Sequence, residues 1–198
     1  MIHPTKGSAD GLILYLHGFR SSPQSAKAQR MAEELGHRNA GECFACPALS
    51  HIPDEAIAQA EVILAAHAGR RITVAGSSLG GFYATVLAER HGLPAVLINP
   101  AVPAAIPLDT WIGRHDNFYS GDFFDFTAEH VAQLRALDPP SLHADRYWLL
   151  LEENDEVLDV RDALGRYAGA RITLLPGGDH SFTRFDEFLP EIIEFAGL

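Results

Sequence analysis

Cysteine is scarce in this chain and long apolar runs are missing. Two thiols, Cys43 and Cys46, among 198 residues are too few for a disulfide framework. Their C-x-x-C spacing has no second pair to complete a four-cysteine metal site. Residues 42–46 read as a strand, in which positions three apart point to opposite faces. Both thiols are therefore expected free and buried, without redox work. None of the ten histidines has H-E-x-x-H or comparable ligand spacing, so neither a metal nor another cofactor is expected. Apolar runs such as 62–66 and 147–151 are far too short to span a bilayer. Residues 1–6 lack the apolar stretch of a signal peptide, which makes the cytoplasm the expected compartment. Positive charge is also in short supply. Fifteen Lys and Arg against 26 Asp and Glu leave a net charge of −11. That balance argues against a nucleic-acid partner, which would need a basic face, and disfavours an anionic membrane surface.

What is present is ordinary globular material, 47% apolar and 21% charged, in a length that suits one domain over residues 1–198. Strand-like segments at 12–16, 42–46, 71–75, 95–99, 146–151 and 171–175 alternate with helical ones. Ser22 and Pro23 read as N-cap and first residue of a helix with Ala28, Met31, Ala32 and Leu35 on one face, closed by Gly36. A second helix opens at Pro53 and runs to about His67 with Ile57, Ala60 and Leu64 inward. Asp159 caps a short helix, and the chain ends helically from about Phe182, with Pro190 kinking that helix or starting another. About six strands separated by helices imply an α/β fold: a mostly parallel sheet with helices on both faces. Right-handed crossovers place every strand's C-terminal end on one edge, where such sheets build their sites. Residues 101–145 break the rhythm. They hold Trp111, Phe118, Tyr119, Phe123, Phe124 and Phe126, with a helix expected over about 127–137. This segment reads as a cap whose aromatics line a pocket or, equally, pack the cap onto the body.

The most informative stretch is Gly76-Ser77-Ser78-Leu79-Gly80, a Gly-x-Ser-x-Gly frame between a β-branched run and a helix that buries Leu79, Phe82, Val86 and Leu87. A serine at so sharp a turn is strained and exposed at the positive end of a helix, which suits a nucleophile. Acyl transfer then needs a base, an orienting acid and an oxyanion hole. His180 follows the last strand in a Gly-Gly-Asp-His-Ser loop and is the expected base. Asp155, just past strand 146–151, is the expected acid, with Glu153, Glu156 and Asp159 as rivals. The backbone N–H groups of Leu79 and of Phe19, in the His17-Gly18-Phe19-Arg20 loop after the first strand, are the expected oxyanion donors. His17 precedes the serine and is expected to hydrogen-bond loop backbone. Arg20 and Lys27 are candidates for meeting an anionic substrate such as an acyl-CoA; Lys27 is alternatively a solvated helix residue.

Several blocks also resemble a known family. Residues 15–23 with Ser25-Ala26-Lys27, the elbow 76–85, Asn99-Pro100-Ala101-Val102, residues 155–159 and residues 177–182 are similar to the YqiA/YcfP-like esterases, small bacterial α/β-hydrolases. The resemblance runs from about residue 11 to the C-terminus. It implies an α/β-hydrolase fold and a serine esterase with Ser78, Asp155 and His180 as triad. The expected reaction is hydrolysis of a small carboxylic ester or acyl thioester through an acyl-enzyme, without cofactor. Asn154 stands where a glycine is common in relatives and Ser181 where an alanine is. Competing readings are a serine amidase or peptidase, and a non-catalytic binding protein on the same scaffold. A dehalogenase is excluded because its elbow carries aspartate.

Overall fold

The computed structural model describes residues 10–198; residues 1–6, read above for a leader, lie outside them. Six parallel strands form the central sheet: β1 (Gly11–Leu16), β2 (Phe44–Ala45), β3 (Arg71–Ser77), β4 (Ala95–Ile98), β7 (Tyr147–Glu152) and β8 (Arg171–Leu175), in spatial order β2-β1-β3-β4-β7-β8. A separate antiparallel hairpin, β5 (Gly113–Asp116) and β6 (Phe123–Phe126), lies within the 101–145 segment. Side chains alternate along each strand. Leu12, Leu14 and Leu16 join the core on one side of the sheet, where α2 (Pro53–Ala66), α3 (Leu79–His91) and α4 (Ala128–Leu137) pack. Ile13 and Tyr15 join the core on the other side, beneath α1 (Ala26–His37) and α6 (Phe185–Phe195). With both faces covered, β1 and β7 are buried at every position, as parallel strands require.

Four local expectations are corrected. The first helix begins at Ala26, three residues after Pro23, because Ser22 is spent on a turn: its carbonyl accepts from Ser25 N–H and its hydroxyl from Gln24 N–H. The strand expected over 42–46 shrinks to Phe44–Ala45 behind a 3₁₀ turn at Gly41–Cys43. Its thiols are free, Cys43 buried and Cys46 half-buried, and burial pushes the Cys46 thiol up to about 12. Helix α3 is buried on all sides from Leu79 to Ala88, where its sequence suggested one buried face. The sheet holds one side, while α2 and Tyr167, whose hydroxyl bonds Thr85, cover others. Finally, of the two expectations for Pro190 the start of a second helix is overturned: α6 (Phe185–Phe195) continues through it as one helix. Pro190 is exposed, so the carbonyl it leaves unpaired can be solvated, while Leu189, Ile192 and Ile193 hold the helix down. The helix starting at Asp159, α5 (Val160–Arg166), is capped as expected, its Asp159 side chain accepting from Arg161 N–H.

Candidate active site

With β3 ending at Ser77 and α3 starting at Leu79, a single residue makes the strand-to-helix turn. That residue, Ser78, has φ 55° and ψ −123°, a region that non-glycine residues avoid. Its neighbours hold it there. Ser78 N–H donates to the Ile98 carbonyl at 3.0 Å, and its own carbonyl accepts from Ala101 N–H at 3.0 Å. The flanking glycines permit contact that no side chain would. A Cβ on Gly76 would overlap the Gly80 carbonyl, and one on Gly80 would overlap that of Leu16.

Three side chains from three loops meet at this turn. His180 Nε2 lies 3.1 Å from Ser78 Oγ, and His180 Nδ1 lies 2.8 Å from Asp155 Oδ2. The second oxygen of Asp155 accepts from Val157 and Leu158 N–H at 2.9 and 2.8 Å, which fixes the carboxylate plane. Its side chain is 3% exposed. A carboxylate at Nδ1 keeps the imidazole proton on that nitrogen and leaves Nε2 to accept from the serine. The rival acids are otherwise engaged. Glu156 accepts the His180 backbone N–H at 2.9 Å, a bond that lowers its pKa. Asp159 is held down to about 2 by Arg161, and Glu153 is exposed.

Two residues that motif reading passed over brace the histidine loop. Asn99, buried with φ 40°, donates through Nδ2 to the carbonyls of Asp179 and His180 at 3.1 and 3.3 Å. Its Oδ1 accepts from Glu152 N–H at 3.0 Å. Glu152 is fully buried and accepts from Asp179 N–H at 2.8 Å and from Arg184 Nε at 3.0 Å. Gly178, with φ 76°, lies so close over this carboxylate that a Cβ there would overlap it. One signal was available: a charged residue closing the apolar strand 147–152 is rarely buried without a partner to find.

The loop after β1 lies against the same serine. A Cβ on Gly18 would stand 3.4 Å from Ser78 Cβ. Phe19 and Leu79 N–H have no acceptor among the described residues, Leu79 being the first residue of its helix. The Phe19 ring is pinned among Trp111, His115, Phe124 and Phe126, with centroids 5.0–5.5 Å away. His17 bonds loop backbone, as its position suggested: Nδ1 donates to the Gly18 carbonyl at 3.1 Å and Nε2 accepts from Leu49 N–H at 3.0 Å. Burial, which disfavours the charged ring, lowers its pKa from the ordinary 6.5 against the opposing pull of the Gly18 carbonyl. The unfolded chain therefore binds the proton first as pH falls. Stability from this site is complete above about pH 6.5 and declines below it. Urea midpoints measured from pH 7.5 to 5.5 are expected to fall less steeply in His17→Gln than in the wild type.

Arg20 lines the cleft and is also engaged within the protein. With φ 59°, it donates through Nε to the Asp116 carbonyl at 2.9 Å, pairs with the Asp116 carboxylate, and lies 4.0 Å over the Phe118 ring. Phe118 N–H bonds the Arg20 carbonyl and Asn117 Nδ2 that of Ser21, each at 2.9 Å. Together these contacts fasten the β5–β6 hairpin to the loop that carries Phe19. Lys27 likewise serves the scaffold, donating from α1 to the Ser181 carbonyl beside the histidine loop.

A half-open cleft of about 250 Å³ begins at Gly18, Phe19 and Leu79 and is walled by His51, Tyr83 and Phe124. The aromatics of 101–145 divide between the two expected roles. Phe123 and Phe124 line the cleft and Tyr119 an adjoining one, whereas Trp111 and Phe126 pack under Phe19. Among the described residues no group of three His, Cys, Asp or Glu is placed to hold a metal. No helix there is long and apolar enough to cross a membrane.

Residues 12–197 match the model of UPF0227, an uncharacterised protein family. The chain belongs to UPF0227. Solved structures that it resembles include proteins named as hydrolases or esterases. A candidate hydrolase from Agrobacterium vitis S4 superposes with a TM-score of 0.76 at 16% identity, over 97% of this chain and 90% of that one. Est1E from Butyrivibrio proteoclasticus with ferulic acid bound gives 0.68 at 15% identity, over 97% and 90%. The esterase domain of a Rhodothermus marinus protein gives 0.65 at 17% identity, over 94% and 86%. The UPF0227 chain thus has the α/β-hydrolase fold. In this member of UPF0227, Ser78, Asp155 and His180 and the Phe19 loop all lie just beyond strands β3, β7, β8 and β1, on the C-terminal edge of the sheet.

Proposed function

We propose that this UPF0227 protein is a serine esterase that hydrolyses small carboxylic esters or acyl thioesters through an acyl-enzyme. The carrying observation is the unbroken relay from Asp155 to His180 to Ser78, at 2.8 and 3.1 Å, beside two unengaged N–H groups. His180 Nε2 takes the Ser78 proton as Oγ attacks the acyl carbon, and the carbonyl oxygen becomes an oxyanion between Phe19 and Leu79 N–H. The start of α3 adds its positive end to the same point. Asp155 steadies the imidazolium, which then protonates the departing alcohol or thiol. Water, activated by the freed imidazole, releases the acid and restores Ser78. Segment 101–145 acts as a cap over the acyl side. The neighbouring Est1E, with ferulic acid bound, supports a small-molecule ester as substrate. An amidase reading is weaker, because a cleft of about 250 Å³ holds little of a peptide. Fluorophosphonate labelling tests the proposal. Wild type is expected to react, Ser78→Ala not at all, and His180→Ala at least about a hundredfold more slowly. A folded wild type that takes no label would instead favour a binding protein on a hydrolase scaffold.

A further inference from the structure

The cleft beside Ser78 contains a polar group that no step of this mechanism uses. Tyr83 lies on α3, five residues beyond the nucleophile, and is 3% exposed. Its hydroxyl has no hydrogen-bond partner among the described residues, yet it is not one of the polar atoms sealed away from solvent. Tyr83 is one of the residues that line the cleft. The other three buried tyrosines differ. Tyr147 donates to Glu89 at 2.6 Å, Tyr167 shares a 2.7 Å bond with Thr85, and Tyr15 bonds Ser77. Most buried hydroxyls are partnered, and the two others among the described residues that are not, Ser25 and Thr73, are sealed from solvent; an unpaired hydroxyl on a residue that lines a cleft marks a place for a ligand atom. Burial keeps the phenol protonated, and it therefore offers a donor.

The rest of the cleft defines what carries the acceptor. Phe19, Phe124 and His51 supply ring faces, His51 stacked on Phe124 at 4.8 Å. An apolar cavity of about 150 Å³ holds one benzene ring. A long fatty chain would have to run on into the adjoining cleft of about 440 Å³, whereas this cleft, at about 250 Å³, suits one ring with substituents. It opens from Leu79 and Phe19, on the oxyanion side, and His180 does not line it. A leaving group has to reach His180 to receive its proton, so the cleft belongs to the acyl group.

We infer that Tyr83 determines specificity: its hydroxyl donates to an oxygen at the far end of the acyl group, and the preferred substrates are esters of single-ring aromatic acids bearing such an oxygen. This rests on the esterase reading. The test compares kcat/KM for 4-nitrophenyl esters of 4-hydroxyphenylacetic, phenylacetic and dodecanoic acids in wild type and Tyr83→Phe. The variant loses only an unpaired hydroxyl and keeps its ring, so it is expected to fold. Wild type is expected to prefer the hydroxylated ester over phenylacetate by about tenfold, the worth of one good neutral hydrogen bond. Tyr83→Phe is expected to abolish that preference. Equal rates for the two aryl esters, a preference that survives Tyr83→Phe, or dodecanoate as best substrate would each overturn the inference while the labelling result kept the esterase standing. Should wild type take no label, calorimetry with free 4-hydroxyphenylacetate decides the matter. Binding about tenfold weaker in Tyr83→Phe supports the role of Tyr83, and equal binding ends it.

Discussion

Asp155→Asn is expected to lower kcat about ten-thousandfold while the urea midpoint stays near that of the wild type. The asparagine carbonyl can replace Oδ1 and keep accepting from Val157 and Leu158 N–H, which orients the new amide. Its NH₂ then occupies the position of Oδ2, 2.8 Å from His180 Nδ1. An amide N–H can only donate there, so Nδ1 has to accept and the imidazole proton moves to Nε2. That nitrogen faces Ser78 Oγ at 3.1 Å and can no longer take its proton. The geometry survives and the tautomer is wrong. Steady-state kinetics on a soluble 4-nitrophenyl ester measures the effect. A drop of less than about tenfold would remove Asp155 from the relay, because Glu156, the nearest rival, is engaged at the histidine backbone and not at its ring.

Gly80→Ala is expected to be the most damaging small substitution, destabilising the fold by about 3 kcal/mol or more. The first helical turn after Ser78 rests directly on β1 and the loop that follows it. A Cβ at position 80 would overlap the Leu16 carbonyl oxygen and stand 2.6 Å from its carbon and 2.7 Å from the His17 carbonyl oxygen. All of these are backbone atoms, and no rotamer change relieves the contact. Relief requires moving α3 off the sheet, which would open contacts around Leu79, Phe82 and Ala84, or moving the loop bearing Gly18 and Phe19. Denaturant unfolding of the variant measures the loss. The control is Gly36→Ala in α1, where an added Cβ meets nothing within 4 Å; it should be neutral or stabilising.

The elbow was legible because its requirements are local. A β-branched strand, two glycines framing a serine and a helix form one short segment, and their spacing alone dictates the turn. The positions of Asp155 and His180 were legible for a related reason. In a parallel sheet each strand delivers its following loop to the same edge, so chain order translates into proximity. Contacts across long separations were not legible. Arg20 meets Asp116 through a hairpin 96 residues away, and nothing near either residue announces the pairing. Asn99 and Glu152 likewise brace the His180 loop from two different strands.

The start of α1 shows the same division on a smaller scale: Ser22-Pro23 has the chemistry of a helix start, yet the Ser22 carbonyl bonds Ser25 and delays the helix to Ala26. Periodicity and turn chemistry by themselves determined the alternating α/β order, the serine at the elbow and the placing of Asp155 and His180 just beyond strands, since each depends on residues a few positions apart. Tertiary structure alone decided that α3 is buried all round, that Arg20 is tied to Asp116, and that one of four buried tyrosines lines a cleft with its hydroxyl unpaired. Burial and hydrogen-bond satisfaction depend on what the other elements leave uncovered, and that sum exists only once the chain has packed.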